Sequence, residues 1–359
     1  FFPPPPPPPP ILSGLVGSEM CIRDSLQRPG GVRPDQYVGV TTYTGTGDGT
    51  TYNNASLKFA ADMTWFKRFD GSVNHVLYDS VRGYGNATYA LRPNTNDDQD
   101  AYGDAVVNIN TNGFSVTGSN TTGINGSGEK IVCWAWKAGG SEGTWNKDGK
   151  AYASAAAAGL DGGSINPAGA SVGTKEGFSI LKYTGNDTSG ATIAHGLSAA
   201  PNFIIIKNLT QTYAGGGPWV VGSSGMQSGA WTHWLRLDDT AAEADNDGMF
   251  NDTAPTSSVV TFGGSWYTNE SIETYIMYCW HNVTGLQKFG SYVGNGNANG
   301  PYVECGFRPA LIIYKRATDG TENWQVYDDK QNTRNQSDTR TSTNLSTGAV
   351  TGNGCDILS

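Results

Sequence analysis

Ile131–Lys137 (IVCWAWK) and Tyr275–His281 (YIMYCWH) are the two stretches that decide the fold. Apolar and aromatic side chains alternate along both, so that Trp134 and Trp136 point to one face of a strand, as do the corresponding residues of the second stretch. Such rings can stack on sugars, but on strands they more often belong to a core. The two stretches therefore predict β-sheets with aromatic cores.

Working outward, each stretch closes a longer repeat. Every copy opens on a tyrosine before a glycine turn and continues to an apolar strand that ends in lysine. The three pairs are Tyr43 and Lys67, Tyr183 and Lys207, and Tyr292 and Lys315. The lysine follows the tyrosine by 24, 24 and 23 residues. We expect the three lysines to occupy equivalent places in three modules.

Short strand patterns recur between Gly, Asn, Asp and Ser clusters, and no long amphipathic helix is evident. The sequence predicts an all-β chain of tandem antiparallel β-sandwich repeats of the jelly-roll kind. We assign repeat 1 to residues 26–137, a Gly/Ala-rich linker with a hairpin at Asp148-Gly149 to 138–174, repeat 2 to 175–283 and repeat 3 to 284–359. Repeat 3 has no closing aromatic strand, so we expect it to be truncated, with an unpaired sheet edge.

The first 25 residues are set apart from the rest. Phe1–Pro10 contains eight consecutive prolines, and Leu15–Asp24 (LVGSEMCIRD) resembles the translation of a transposase sequencing adaptor. No basic segment precedes the short apolar stretch Ile11–Gly17, which argues against a signal peptide. We interpret residues 1–25 as a disordered adaptor artefact and exclude them from the fold.

The composition argues against several classes of protein. Lys and Arg number 23 against 32 Asp and Glu, a net charge of −9, so no nucleic-acid partner is expected. No apolar run approaches the roughly 20 residues that span a bilayer, so no membrane insertion is expected. The five cysteines form no close-spaced pair, which predicts neither a metal site nor a disulfide framework.

A set of short motifs gives the sequence a family resemblance. The motifs are Trp134–Gly140, Gly177–Ile180, Ala194–Leu197, Pro201–Lys207, Asn251–Val259, Phe289–Gly296, Gly300–Val303 and Gly306–Ala310. Together they resemble an uncharacterised β-sandwich repeat domain of marine bacteriophage tail and tail-fibre proteins, across nearly all of residues 37–359. The family is often found beside concanavalin A-like lectin domains, and the resemblance carries no established catalytic residue.

The resemblance implies a non-enzymatic structural and adhesion segment of a phage tail fibre, located in the virion or outside the cell. The expected partners are a polysaccharide of the host cell surface and other virion tail proteins, and a homotrimer would suit a fibre. One alternative is a glycan depolymerase, a tail-spike-like glycoside hydrolase or lyase. A hydrolase of this kind needs two carboxylates roughly 5–10 Å apart in a groove. The other alternative is a secreted bacterial adhesin.

Five residues in loop-like surroundings are the candidates for glycan binding. They are Trp231, His233, Trp234, Trp266 and Tyr267. Aromatic rings bind the apolar faces of pyranoses while nearby polar groups bind the hydroxyls. The competing interpretation is that these rings are buried at the ends of the sandwich cores.

No motif predicts a catalytic residue or a cofactor. Asp79 and Arg82 fit a turn or a structural ion pair better than a ligand site. Asp97, Asp98 and Asp100, and the stretch Asp245–Gly248, offer oxygens for calcium. Neither follows the EF-hand spacing, so we favour solvated acidic loops. The four histidines are scattered without metal-ligand spacing.

Overall fold

The computed structural model of the chain describes residues 33–357, apart from residues 48–49, 87–88, 100–105, 119–122, 141, 211–216, 298 and 334. The expectation for residues 1–25 lies outside this range. The chain is nearly all-β, as predicted, and its described helices are a 3-10 turn at Pro34–Gln36 and the short helix α1 at Asp247–Phe250. Within the described range, no helix is long and apolar enough to cross a membrane.

The first module is a sandwich of two antiparallel sheets. Its strands are β1 (Val38–Thr44), β2 (Tyr52–Asn54), β3 (Met63–Arg68), β4 (Val76–Asp79), β5 (Val106–Asn110), β6 (Gly113–Thr117) and β7 (Lys130–Trp136). One sheet has the order β1-β7-β3-β4 and the other β2-β6-β5. Buried Tyr43, Phe66, Tyr78 and Phe114 belong to the core that both sheets share. This arrangement buries the apolar face of each sheet.

The middle of the chain forms a larger sandwich. Its strands are β8 (Trp145–Lys147), β9 (Lys150–Tyr152), β10 (Gly169–Gly173), β11 (Phe178–Thr184), β12 (Ala191–Ala194), β13 (Phe203–Asn208), β14 (Val220–Ser223), β15 (His233–Arg236), β16 (Ala244–Asp245), β17 (Val259–Phe262) and β18 (Thr274–Trp280). A nine-stranded sheet has the order β16-β15-β14-β13-β18-β11-β10-β8-β9, and β12 pairs with β17. The central order β11-β18-β13-β14 matches β1-β7-β3-β4. The register matches too, because Lys207 faces Ile276 as Lys67 faces Val132.

Residues 138–174 contribute strands to this sheet, whereas the sequence predicts a linker. The hairpin at Asp148-Gly149 is present between β8 and β9, with turn φ angles of 52° and 79°. β10 pairs with β11 and places Ala170 and Val172 in the core. Small residues permit this packing, since a Cβ atom on Gly139 would lie 2.6 Å from the Val172 carbonyl oxygen. The Gly/Ala composition therefore reflects close packing rather than a flexible connection.

The third module has fewer described strands. They are β19 (Leu311–Tyr314), β20 (Gln325–Asp328), β21 (Ser337–Arg340) and β22 (Val350–Cys355). β19 and β20 correspond to β3 and β4, since Leu311 faces Asp328 as Met63 faces Asp79. In the described part of residues 284–357, no strand pairs with the second edge of β19.

Hydrogen bonds tie the three modules together in one cyclic order. The lysine Nζ atoms donate to carbonyl oxygens of another module: Lys67 to Ser346, Lys207 to Asn96 and Lys315 to Thr240, at 2.8, 3.0 and 3.0 Å. Each lysine also donates to a carbonyl of its own hairpin: Val73, Gly217 and Glu322, respectively. The three lysines thus make the same two kinds of hydrogen bond.

Two further sets of hydrogen bonds follow the same cycle. Ring nitrogens bond to carbonyl oxygens across the modules: His75 to Ser342, Trp219 to Arg92 and Trp324 to Arg236. Backbone amides link the same pairs of modules in the reverse sense: Ala349 donates to Phe69, Gln99 to Leu209 and Glu243 to Ala317. Side chains from all three modules, including Trp134, Tyr278 and Val326, fill a common core between them. The three modules therefore pack together as one unit and are not independent domains.

Candidate carbohydrate-binding site

Three of the five predicted glycan-binding residues come together on the second module. Trp234 lies on β15, while Trp266 and Tyr267 form a turn that follows β17. The ring centroids of Trp234 and Tyr267 are 5.8 Å apart, and those of Trp266 and Tyr267 are 4.2 Å apart. The Arg236 guanidinium carbon lies 5.3 Å from the Trp234 ring centroid, within the range of a cation–π contact. We call Trp234, Arg236, Trp266 and Tyr267 the aromatic cluster.

The turn that carries Trp266 and Tyr267 is held by hydrogen bonds. The Ser265 Oγ atom accepts from the Tyr267 amide at 3.2 Å, and the Trp266 carbonyl accepts from the Tyr275 hydroxyl at 2.7 Å. Gly263 lets the chain pass close to α1, because a Cβ atom there would lie 2.2 Å from the Asp247 carbonyl oxygen. The two rings are thus placed by a fixed backbone, which lowers the entropy that a ligand must overcome.

The aromatic cluster combines exposed and buried surface. Trp266 and Tyr267 are half-buried, and so is Arg236, whereas Trp234 is 6% exposed. The Trp234 Nε1 atom is buried and has no hydrogen-bond partner among the described residues. An unsatisfied buried donor costs about 1–3 kcal/mol. The cluster therefore combines partly exposed ring surface, a guanidinium that also pairs with Asp239 at 3.3 Å, and a buried N–H group without a protein acceptor.

The other two predicted residues do not join this cluster. Trp231 is 5% exposed and packs edge-on against Phe250, with ring centroids 5.5 Å apart. His233 precedes Trp234 on β15, so its side chain points to the opposite face of the sheet. Its Nδ1 atom lies 2.9 Å from the Thr232 hydroxyl oxygen. Trp231 and Trp234 both belong to the buried core of the second module, so the exposed ring surface of the cluster comes from Trp266 and Tyr267.

Asp79 and Arg82 form the structural ion pair that the sequence suggests. The Arg82 Nε and Asp79 Oδ2 atoms are 2.5 Å apart and buried, and Asp79 Oδ1 also accepts from the Val81 amide at 3.0 Å. The Tyr278 hydroxyl of the second module donates to Asp79 Oδ2 at 2.7 Å. Asp328 takes the equivalent role in the third module, where it accepts from Trp134 Nε1 at 3.1 Å. These aspartates join modules.

A buried carboxyl that the sequence pattern did not single out lies beneath a polar cavity. Asp62 accepts from the hydroxyls of Ser80 and Ser171 at 2.7 and 2.9 Å and from the amides of Ala138 and Gly140. Burial raises the pKa of Asp62 despite these donors. The cavity, of about 320 Å³, is lined by Ser80, Val81, Gly140, Gly143, Thr144, Ala170 and Ser171. Asp62 fixes residues 138–171 to the first module, a role that no local motif reveals.

In their described part, the two acidic stretches do not form a metal centre. Among the residues that the structure describes, no group of three or more His, Cys, Asp and Glu side chains is placed to hold a metal ion. In the stretch Asp245–Gly248, Asn246 caps α1 by accepting from the Gly248 amide at 2.9 Å. Asp97 and Asp98 are described, and Asp100 lies outside the described residues.

Comparison with known proteins identifies a family. The family described as Domain of unknown function (DUF7483) matches residues 33–359. No curated protein and no solved structure gives a significant match. The match covers all three modules and the aromatic cluster.

Proposed function

We propose that this chain, which belongs to the DUF7483 family, is a non-enzymatic structural and adhesion segment of a phage tail fibre or related virion protein. It binds a polysaccharide of the bacterial surface through the aromatic cluster. Its place is the virion or the extracellular medium, and its protein partners are other tail proteins. The fibre context comes from the sequence resemblance, and the binding function comes from the cluster.

The observation that carries the binding function is the unpartnered Trp234 Nε1 atom beside half-buried Trp266 and Tyr267. A pyranose has one apolar face and a rim of hydroxyls, so it needs a ring to stack on and donors at its edge. Trp266 and Tyr267 supply the ring faces. The Arg236 guanidinium adds donors and a charge suited to acidic sugars.

The contacts between modules support the structural part of the proposal. A fibre segment under mechanical load benefits when neighbouring modules share a core and several hydrogen bonds, because no module then unfolds alone. The lysine, ring-nitrogen and amide hydrogen bonds link each module to the next in the same way.

A glycan array followed by titration tests the binding function. The full chain is applied to bacterial surface polysaccharides, and affinities for the bound glycans are measured for Trp266→Ala and Tyr267→Ala. Each variant is expected to weaken binding by roughly tenfold or more, since stacked rings contribute about 1.4 kcal/mol or more. Tyr302→Ala is the matched control, because Tyr302 is an exposed tyrosine outside the cluster at 70% exposure.

Three outcomes would contradict the proposal. Unchanged affinity in both cluster variants would remove the site. An equal loss in Tyr302→Ala would show non-specific stacking. Release of new reducing ends or unsaturated sugars from a bound polysaccharide would identify a depolymerase instead of an adhesin. Thermal unfolding of each variant checks that lost binding is not lost folding.

A further inference from the structure

The three interfaces between modules use one pattern of hydrogen-bonding groups. One side of each interface is a docking segment, which offers a carbonyl oxygen, a second carbonyl four residues later and a backbone amide three residues after that. The three docking segments contain Arg92, Asn96 and Gln99 in the first module, Arg236, Thr240 and Glu243 in the second, and Ser342, Ser346 and Ala349 in the third. The spacing is identical in all three, so the interfaces share one pattern.

The other side of each interface is the strand hairpin that carries the lysine. The lysine Nζ atom donates to the second carbonyl of the docking segment, a ring nitrogen donates to the first, and the carbonyl two residues after the lysine accepts from the amide. The lysine and this carbonyl belong to Lys67 and Phe69, Lys207 and Leu209, and Lys315 and Ala317. His75 donates through Nε2, because its Nδ1 atom accepts from Trp65 Nε1 at 2.9 Å. Each interface is therefore heterologous, with a hairpin on one side and a docking segment on the other.

These interfaces close into a ring of three. The first hairpin contacts the third docking segment, the second hairpin contacts the first, and the third hairpin contacts the second. Heterologous interfaces build a ring when the rotation closes and a filament when it does not. In the described residues every hairpin and every docking segment is occupied, and Trp134, Tyr278 and Val326 belong to the common core. Three identical subunits of a cyclic homotrimer are related in the same way.

The interface between the first and third modules closes the ring without a direct chain connection. The polypeptide passes from the first module to the second and from the second to the third. The first and third modules are joined by noncovalent contacts, which include the hydrogen bond from Trp134 Nε1 to Asp328. This interface keeps the first hairpin and the third docking segment from binding a second copy of the chain.

We infer that this chain is a single-chain trimer, in which three modules of one polypeptide form the ring that a homotrimer builds from three subunits. Both sides of each described interface are occupied within the chain, so the full chain is a monomer in solution. The homotrimer that the fibre resemblance implies is thus replaced by one chain with internal threefold pseudosymmetry.

The ring carries one aromatic cluster, a consequence that rests on the proposed function. Three ladder pairs define corresponding positions: Leu91 with Leu77, Leu235 with Val221 and Thr341 with Val326. The residues that correspond to Trp234 are therefore Ala90 and Arg340, which offer no aromatic ring. A homotrimer would have three glycan sites and gain avidity from them, whereas this chain has one site per ring.

Sedimentation of the full chain tests the inference directly. The expected result is one species with the mass of a single chain, independent of protein concentration in the micromolar range. A trimer, or oligomers that grow with concentration, would overturn the inference, because either would require interfaces that the ring leaves unoccupied.

Amide exchange tests whether the ring is closed. The amides of Ala349, Gln99 and Glu243 should all exchange slowly, since each donates to another module. A Cβ atom on Gly348 would lie 2.9 Å from the Phe69 carbonyl oxygen, so Gly348→Leu inserts a side chain into the interface that closes the ring. This variant should speed exchange at Ala349 by roughly tenfold or more and leave Gln99 and Glu243 unchanged.

The matched control is Gly294→Leu, in the same module, where a Cβ atom would contact nothing within 4 Å. It should leave the exchange of all three amides unchanged. Fast exchange at Ala349 in the wild-type chain, or exchange there that Gly348→Leu does not alter, would overturn the ring.

Calorimetric titration with a glycan that binds the full chain tests the number of sites. One glycan per chain is expected, and three per chain would overturn the single cluster. Absence of any glycan binding would contradict the proposed function and leave the results of sedimentation and amide exchange to decide on the ring.

Discussion

The second and third modules contain the same kind of strand pair, but its residues are buried to different extents. β13 and β19 are both apolar and end at an equivalent lysine, yet Lys207 is fully buried and Lys315 is partly exposed. The opening tyrosine is buried at Tyr183 and half exposed at Tyr292. β18 accounts for the difference, because it covers β13 in the one module and has no described counterpart in the other. Burial is thus decided by the neighbouring strand more than by a strand's own residues.

The connections between modules do not show this difference. Each module donates the same three kinds of hydrogen bond to another, and the third module takes part fully through Lys315, Trp324 and Ala349. The common core includes Trp324 and Val326 of the third module beside Trp134 of the first. The cyclic contacts therefore depend on the hairpins and their loops. The closing strands of the first two modules add the hydrogen bonds of Trp134 and Tyr278 to aspartates of another module.

The largest effect is expected from Trp134→Ala. Trp134 is almost fully buried in the common core and donates to Asp328 in the third module. Its loss leaves a cavity and removes a donor from a buried carboxylate, a cost of about 4–6 kcal/mol. Urea unfolding of the full chain measures it. The matched control is Trp266→Ala, which should cost under about 1.5 kcal/mol because that ring is half-buried. Similar costs for the two variants would show that Trp134 does not join the modules.

Asp79→Asn should have the next largest effect. The substitution keeps the side-chain volume but leaves Arg82 as a buried charge without its carboxylate. Breaking one partner of a buried ion pair costs about 3 kcal/mol. Asp35→Asn is the control, since Asp35 pairs with Lys58 and Arg33 on the surface. These surface ion pairs should contribute under about 1 kcal/mol to the free energy of unfolding. A loss in Asp79→Asn no larger than in the control would argue against a structural role for this pair.

The sequence predicts the closing strands well, but it predicts poorly which other elements pack beside them. Alternation in residues 131–137 and 275–281 identifies the closing strands, and the tyrosine-to-lysine spacing predicts three lysines that make similar hydrogen bonds. The strand β10 was missed because Gly169 and Ala170 carry almost no hydrophobic signal, although they pack closely. The aromatic cluster was predicted in part, since Trp234 and Tyr267 are 33 residues apart and only the sheet brings them together. The cyclic hydrogen bonds were not predictable, because they use backbone carbonyls that every sequence offers.

Buried lysines give a pH dependence to the first two modules. Burial lowers the pKa of Lys67 to about 7 and that of Lys207 to about 8. An unfolded lysine has a pKa near 10.4, so the unfolded chain binds more protons than the folded chain between about pH 7 and 10. Stability should therefore rise with pH across this window, by up to about 1.4 kcal/mol per pH unit for each lysine. A neutral lysine amine still has two N–H groups, one for each of the two carbonyl oxygens to which Lys67 and Lys207 donate.

Urea unfolding at pH 7 and pH 9.5 measures this gain, at pH values where the buried tyrosines remain protonated. The double variant Lys67→Met/Lys207→Met should lose most of the gain, whereas Lys315→Met should keep it because Lys315 is partly exposed. A wild-type chain that loses stability toward pH 9.5, or a double variant with the wild-type slope, would show that these lysines are charged in the folded protein.

The smallest effect on the chain alone is expected from Tyr292→Ala, and it sharpens the comparison most. Tyr183→Ala, at the equivalent position, removes a fully buried ring whose hydroxyl donates to the Thr268 carbonyl at 2.7 Å, and it should cost about 3–5 kcal/mol. Tyr292→Ala should cost under about 1 kcal/mol in urea unfolding, since half of that ring is already in water. Equal costs for the two variants would mean that Tyr292 is packed as tightly as Tyr183.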